Sequence, residues 1–512
     1  MAGLEFEFNF RSPPRGVGDR GDDDRPMRIL VIGDFSGRAA RGIANLSDLD
    51  RRPTPAVDVD NFDALLGKVA PALQLRAGTA GTTAIDIGFH SLEDFHPDQL
   101  YRRLPMFEDL RAIRAGLQQH DSFDDAAQRL RQRVGLDTPA EIPAAAAALP
   151  GTEDDGATMD RLLGRTASAP AATAATAPAS GLQAMLRDIV APHIARIAPA
   201  HQAQYLAAAD AAVAQQMRDL LHAPTFQALE ANWRALRWMV AELDLGENLR
   251  LHLLDTSKDE LRADLKGAGA DLEQSALYRL LVDKGSRAPG GKPWDLIAGC
   301  FEFGMNDADI DLLAFLGAVA MHAGGPLIAN AHDSMVGCES IAATPDPRDW
   351  QAAAPEIERR WQALRMSVIA PAIGLALPRV LLRQPYGAKT DAIDSFPFEE
   401  TAGDLAHASL LWGNAGLACA LLIGRAFLSG GWGMDPNDER DLGDLPAYIH
   451  EVDGERELYP VAEAHMSERA AEAMLARGLI PVAGLKTQNA ARLLRFQSIA
   501  EPAAGLAGAW AS

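Results

Sequence analysis

Two glycines after an apolar run near the N-terminus are the residues best suited to bind a phosphate group. They lie in MRILVIGDFSGR, residues 27–38. A P-loop requires GxxxxGK followed by Ser or Thr, because its backbone amides and its lysine hold the phosphates. Here Gly33 and Gly37 are four residues apart, no hydroxyl residue follows, and GxGxxG is absent. The stretch therefore predicts a strand and a turn, and an enzymatic alternative would have to use Asp34.

Histidines and carboxylates between residues 90 and 98 suggest a second kind of chemistry, metal binding. His90 and His96 flank three acidic residues, Glu93, Asp94 and Asp98. Their spacing matches neither HExxH nor a facial triad, and turn-forming Ser, Asp and Pro account for the acidic residues. We therefore predict no metal site in this stretch.

The stretch FPFEE at residues 396–400 places two carboxylates beside aromatic rings, as a general acid and base pair would require. Adjacent residues point apart on a strand, so the stretch favours a packing turn with a solvated acidic edge. A hydrolase triad has no GxSxG elbow to build on. The sequence thus predicts no catalytic residue, no cofactor and no metal.

Composition and charge narrow the class of protein. The chain has 512 residues, a net charge of −22 and three cysteines. This acidity argues against nucleic acid and anionic membranes as partners, and the few cysteines suit a reducing compartment. The first residues lack a signal-peptide pattern, and the apolar runs at 312–321 and 415–424 are too short to span a bilayer. We expect a soluble cytoplasmic protein with two buried apolar helices.

Residues 1–26 have the pattern of a strand on a flexible link. Leu4, Phe6, Phe8 and Phe10 alternate with polar residues, and residues 11–26 are rich in Gly, Pro, Asp and Arg. Such a strand can leave its own domain and pair with another sheet. An ordinary edge strand of the local sheet explains the pattern equally well, and both interpretations stay open.

Composition divides the rest of the chain into five parts. A first domain covers residues 27–137, and an Ala/Pro/Thr-rich linker, predicted to be disordered, covers 138–180. A short amphipathic segment follows at 181–200, a second domain at 201–500 and a loose tail at 501–512. Helical and strand patterns alternate through the second domain, which predicts an α/β fold with mixed sheets flanked by helices.

Apolar spacing locates individual elements. It predicts strands at 29–32 and 249–254 and helices at 206–220 and 226–240. It also predicts a long helix within residues 89–117, with apolar residues at helical spacing from Leu100 to Leu117 and a break near Pro105. Ser257 and Glu260 form a capping box at the start of another helix.

Ordered blocks of sequence resemble the contractile sheath of the type VI secretion system. RILVIGDFSGR, VDVDNFDALL and SLEDFHPDQLYRRLPMFEDLRAIRAGL resemble its small (TssB/ImpB-like) subunit. After the linker, LRLHLLDTSKDEL, RVLLRQPYGAKTDAIDSFPFEE and LLWGNAGLACALLIGRAFLSGGWG resemble its large (TssC/ImpC/EvpB-like) subunit. The chain looks like a fusion of both.

The resemblance implies a structural role without catalysis. It implies a contractile-sheath subunit fold in two interwoven halves. The implied partners are sheath small and large subunits, an inner tube and a baseplate, in an oligomer joined by strand exchange. It also implies that the AAA+ ATPase ClpV grips a short helix near the start of the large subunit. The candidate helix face here comprises Leu182, Met185, Leu186, Ile189 and Val190. A first helix docked on its own domain is the alternative.

One departure from the family pattern stands out. The sequence stops soon after QSIAEP, where the large subunit usually continues into a C-terminal domain. This leads us to expect a sheath component that either builds the tube or acts as a cap, a baseplate-proximal piece or an assembly regulator. A soluble adaptor and an α/β enzyme are the remaining alternatives.

Overall fold

The computed structural model describes residues 25–77, 83–134, 202–401, 407–452 and 455–510. The N-terminal strand candidates (Leu4 to Phe10) and the ATPase-binding candidates (Leu182 to Val190) lie outside these residues. The described chain forms two compact units. The larger one contains residues 25–75, 84–104 and 217–510, and so draws on both predicted domains. This mixed α/β architecture confirms the predicted fold class.

A nine-stranded mixed sheet forms the centre of the larger unit. Its order is β11-β15-β14-β8-β7-β6-β1-β5-β2. The strands are β1 (Met27–Gly33), β2 (Ala56–Val57), β5 (Leu249–Asp255), β6 (Leu296–Phe303), β7 (Leu327–Ala331), β8 (Ile373–Leu377), β11 (Asp441–Leu442), β14 (Ile480–Gly484) and β15 (Ala491–Leu493).

Three two-stranded sheets complete the strands of the described chain. They pair β3 (Ala72–Ala77) with β4 (Thr83–Gly88), β9 (Val380–Leu381) with β10 (Trp412–Gly413), and β12 (Ile449–Val452) with β13 (Glu455–Leu458).

Apolar runs explain the middle of the large sheet. The strands β1, β7 and β8 are almost entirely buried, and each pairs in parallel with its neighbours. Parallel strands covered on both faces require continuous apolar sequence, which Val, Ile, Leu and Ala supply here. The predicted strands at 29–32 and 249–254 are confirmed as β1 and β5.

Twelve α-helices accompany these strands within the described residues. They are α1 (Phe62–Val69), α2 (Pro97–Arg103), α3 (Glu108–Gln118), α4 (Phe123–Val134), α5 (Gln202–Leu221), α6 (Pro224–Glu242), α7 (Lys258–Ala268), α8 (Ala276–Tyr278, continued by a π-helical turn), α9 (Asp307–Ala323), α10 (Pro355–Arg365), α11 (Ala415–Gly430) and α12 (Glu468–Ala476). The helices predicted at 206–220 and 226–240 are confirmed, as is the break near Pro105, where a 3₁₀ turn separates α2 from α3.

Two helices bury the longest apolar runs of the sequence. In α9 and α11 nearly every apolar side chain is inaccessible to solvent. Within the described residues, the segment Ala415–Gly433 is the one helix long and apolar enough to cross a membrane, and most of it is buried inside the protein. Both runs therefore form core helices, as predicted.

The smaller unit is helical and has its own core. Leu110, Ile113 and Leu117 of α3 are buried, and Phe123 packs edge-on against Tyr205 of α5. An ion pair between Arg114 and Asp210, with Nε and Oδ1 2.6 Å apart, joins α3 to α5.

The C-terminal tail is not loose, contrary to the prediction. Leu506 and Trp510 are buried, and the Ala507 amide donates to the Pro371 carbonyl at 2.8 Å. Two apolar side chains among Ala and Gly are enough to hold residues 501–510 against the larger unit, because each buries a large apolar surface.

Candidate functional site

The central strand of the sheet defines a seam between distant parts of the sequence. All seven residues of β1 pair in parallel with β5, and residues 29–32 pair with β6 on the other side. Both neighbours lie more than 200 residues further along the chain. We use "seam" for the contacts, within the larger unit, of residues 25–104 with residues 217–510.

A buried carboxylate at the end of β1 stabilises the seam. Glu260, fully buried on α7, accepts hydrogen bonds from Arg38 and Arg52, with Nη2–Oε1 distances of 2.8 and 2.7 Å. The backbone amide of Ser257 also donates to Glu260, which completes the predicted capping box. Burial alone would raise the pKa of Glu260, but the arginines and this amide outweigh it and hold the pKa at about 2.

The turn after β1 satisfies its own backbone amides. The Asp255 carboxylate accepts from the amides of Phe35 and Ser36 at 2.8 and 2.9 Å, where a phosphate would bind in a P-loop. The Asp34 carboxylate accepts from the amides of Arg38 and Ala39. Burial raises the pKa of Asp34 above its ordinary value. The predicted strand and turn are confirmed, and a carboxylate occupies the position that a phosphate would need.

An aromatic cluster fills the seam beneath this turn. Trp233 of α6 is fully buried and donates from its Nε1 to the Phe35 carbonyl at 2.8 Å. The rings of Phe35 and Phe62 lie edge-on to the indole, with centroids 5.2 and 5.8 Å away. Edge-to-face geometry suits the ring quadrupoles, so the cluster adds to simple apolar burial.

Helix α2 and the residues before it form a second block of the seam. Phe89 and Phe95 stack with centroids 4.0 Å apart, and both meet Phe226 edge-on. Asp98 accepts from the amides of Asp394 and Ser395 at 3.0 and 2.9 Å. These hydrogen bonds outweigh burial and lower the pKa of Asp98.

The start of the described chain is fixed at the opposite end of β1. Arg25 forms a bidentate ion pair with buried Asp295, with nitrogen–oxygen distances of 2.8 and 2.7 Å. Its guanidinium lies over Trp432, 4.1 Å from the ring centroid, and the indole Nε1 donates to the Arg25 carbonyl. The segment that precedes Arg25 thus leaves from a defined point.

The histidine and carboxylate cluster at 90–98 serves local structure. Asp94 accepts from the amides of His90 and Ser91, and Nδ1 of His96 accepts from the Asp98 amide. Within the described residues, no three His, Cys, Asp or Glu side chains are placed to hold a metal ion.

The prediction of a solvated acidic edge at FPFEE is wrong for Glu400. This residue is 1% exposed, and its carboxylate binds Arg383 through two hydrogen bonds of 2.7 and 2.9 Å. Arg383 also pairs with buried Glu230. Buried charged groups need partners of opposite sign, and this cluster draws Glu230, Arg383 and Glu400 from three separate segments of the chain.

Sequence patterns missed most residues of the seam. Glu260 is predicted only as a cap and Trp233 only as part of the apolar face of the helix at 226–240. Asp255 and Asp295 are not predicted at all. One signal was available: a carboxylate at the end of a buried strand, as at Asp255, can accept hydrogen bonds from the backbone amides of a neighbouring turn. The arginines that pair with Glu260 had no such local signal.

Comparisons with known proteins agree with this interleaved arrangement. Residues 203–500 match the family VipB, described as EvpB/VC_A0108, tail sheath N-terminal domain. Residues 17–135 match the family described as Type VI secretion system, VipA, VC_A0107 or Hcp2. The β1 strand thus comes from the VipA-like region, and both of its neighbours come from the VipB-like region.

Two proteins from Pseudomonas aeruginosa each match a different part of this chain. The chain is 32% identical to the type VI secretion system sheath protein TssC1 over 309 residues, which is 58% of this chain and 61% of TssC1. It is 28% identical to the sheath protein TssB1 over 136 residues, 25% of this chain and 77% of TssB1. The chain therefore spans less than two thirds of TssC1. The resemblance found in the sequence is confirmed: this chain belongs to the type VI secretion sheath family and carries small-subunit-like and large-subunit-like regions in one polypeptide.

Proposed function

We propose that this chain is a structural component of a cytoplasmic type VI secretion sheath and acts by assembly, not catalysis. The observation that carries the proposal is the seating of β1 between β5 and β6. A strand with partners on both sides joins part of the VipA-like region and part of the VipB-like region in one folded body. Such a body is the unit that a sheath would repeat.

The proposed partners are separate sheath small and large subunits, an inner tube and a baseplate. Negative-stain electron microscopy of the purified protein, alone and mixed with separate small and large subunits, tests this. Tubes or rings support a sheath role, and particles bound only at tube ends support a cap or regulator. Failure to associate with any sheath, tube or baseplate component contradicts the proposal.

Strand exchange through Leu4, Phe6, Phe8 and Phe10 is the proposed link between neighbouring copies. Main-chain pairing supplies affinity without a pocket, and the alternate phenylalanines give the strand one apolar face. The fixed position of Arg25 gives the preceding segment a defined point of departure. Deleting residues 1–12 should abolish assembly and leave the melting temperature unchanged. Assembly that survives the deletion contradicts this link, and replacing Glu5 and Glu7 by Gln provides a control that keeps the apolar face.

The AAA+ ATPase ClpV is proposed to bind the amphipathic segment at 181–200. Leu182, Met185, Leu186, Ile189 and Val190 form one face at helical spacing. A labelled peptide of residues 180–200 should bind the ATPase in a fluorescence anisotropy titration. The same peptide with Leu186 and Ile189 replaced by Asp should not bind, and equal binding of both peptides contradicts the proposal.

A further inference from the structure

A cavity of about 340 Å³ opens beside the seam, next to the short edge strand β2. One wall is apolar and includes Leu65, Val69 and Leu253. Four cationic side chains, Arg38, Arg41, Arg52 and Lys68, also line it, together with the carboxylates of Asp48 and Asp255. A cavity of this size with an apolar wall and a few convergent polar groups is typical of a binding site.

The four cations fall into two classes. Arg38 and Arg52 share the buried carboxylate of Glu260, and Arg52 also pairs with Asp48. Arg41 instead donates to the backbone carbonyls of Ser36 and Gly37. Among the described residues, neither Arg41 nor the exposed Lys68 has a carboxylate within ion-pair distance. Counting the buried Glu260 with Asp48 and Asp255, four cations face three carboxylates, so the cavity keeps one net positive charge.

The free donors suit a carboxylate. Arg41 uses Nη2 and Nε for the turn, which leaves Nη1, and Lys68 offers its ammonium group. Two cationic donors match the two oxygens of a carboxylate. The apolar wall would contact a short hydrocarbon stem, as in a glutamate side chain.

We propose that this cavity binds an acidic side chain presented by a second copy of this chain. Charge complementarity points to that partner, since each copy carries a net charge of −22 while this cavity keeps one net positive charge, with Arg41 and Lys68 outside the ion pairs of its wall. A like-charged pair of copies needs such local contacts to associate in one orientation. The inference rests on the proposed assembly role and names one contact within it.

Zero-length carbodiimide cross-linking tests the contact directly, because it joins an amine to a carboxylate that already touches it. Equal amounts of ¹⁴N- and ¹⁵N-labelled full-length protein are assembled, cross-linked and digested. Mass spectrometry should find Lys68 joined to an Asp or Glu peptide of the other isotope. Lys266, which is also exposed and lies on α7, is the control and should show no such enrichment.

Substitution tests the same contact by affinity. Lys68→Gln, and Arg41→Gln with Lys68→Gln, should weaken self-association in sedimentation experiments, by roughly tenfold for the double variant. Arg51→Gln removes a cation that is 80% exposed and should leave self-association unchanged. The melting temperature of Lys68→Gln should equal that of the wild type, because this side chain is exposed.

The outcomes separate this inference from the proposed function. If the wild type assembles but Lys68 forms no intermolecular cross-link and the variants associate normally, the contact is refuted and the sheath role stands. If hexanoate, a free carboxylate, saturates the cavity without affecting self-association, the site serves a small molecule and the inference is wrong. If the wild type assembles neither alone nor with separate sheath subunits, both proposals fail.

Discussion

Replacing Glu260 by Gln tests whether the buried carboxylate stabilises the seam. The substitution keeps the size of the side chain and removes its charge. Arg38 and Arg52 then keep their positive charges beside a neutral amide, although their side chains are only 14% and 7% exposed. Breaking a buried ion pair by removing one partner costs about 3–5 kcal/mol in the free energy of unfolding.

The pKa of Glu260 gives a second, independent magnitude. It lies at about 2, against an ordinary value of 4.5. A lowering of this size corresponds to roughly 3 kcal/mol of stabilisation when the group is ionised. Because the pKa is lower in the folded state, this stability is present above about pH 4.5 and is lost as the pH falls toward 2. The variant should lose both the stability at neutral pH and this part of the acid dependence.

Urea unfolding followed by tryptophan fluorescence measures the effect, since Trp233 lies in the seam. Glu242→Gln is the matched control: Glu242 is also on a helix and pairs with Arg425, but its side chain is 39% exposed. We expect the control to stay within about 0.5 kcal/mol of the wild type at pH 7. A cost below about 1 kcal/mol for Glu260→Gln, or an equal cost for the control, would refute the reasoning.

Three further predictions follow from the same contacts. Trp233→Phe removes the hydrogen bond to the buried Phe35 carbonyl and should lower the free energy of unfolding by about 1–3 kcal/mol in urea titrations, whereas Trp350→Phe, in a partly buried loop, should cost less. Expressing residues 1–150 and 151–512 as two polypeptides should give a one-to-one complex on affinity purification, because β1 pairs with strands of the other piece on both sides; recovery of the tagged piece alone would contradict this. Asp34→Ala removes two hydrogen bonds of the turn, so it should lower the free energy of unfolding by about 1 kcal/mol and leave tube formation in electron micrographs intact. A variant that assembles normally but has lost its function would favour the enzymatic alternative.

Local patterns predicted the elements of this protein well. The apolar run at residues 29–32, the helical spacing at 226–240 and the capping box at Ser257 all gave the observed structure. Each of these depends on neighbours within a few residues. Periodicity and capping act at that range, so sequence alone contains the information.

The seam was harder to predict because its contacts are long-range. Arg38 and Arg52 lie 222 and 208 residues before Glu260, and no local spacing links them. The prediction for Glu400 was wrong for the same reason, since the arginine that compensates its charge comes from another segment of the chain. The family resemblance implied that the halves interleave, but it did not indicate which side chains hold them together.

The position of β1 also sets the order of events during synthesis. This strand leaves the ribosome before its neighbours in the sheet, and the first of them, β5, begins more than 200 residues later. At translation rates of about 5–20 residues per second, β1 waits roughly 10–40 seconds with both edges unpaired. An apolar strand with two open edges is prone to pair with other chains, so nascent copies on one messenger are exposed to mutual aggregation in this interval. A chaperone that covers residues 27–33 would relieve this hazard until residue 303 has emerged and β6 closes the second edge.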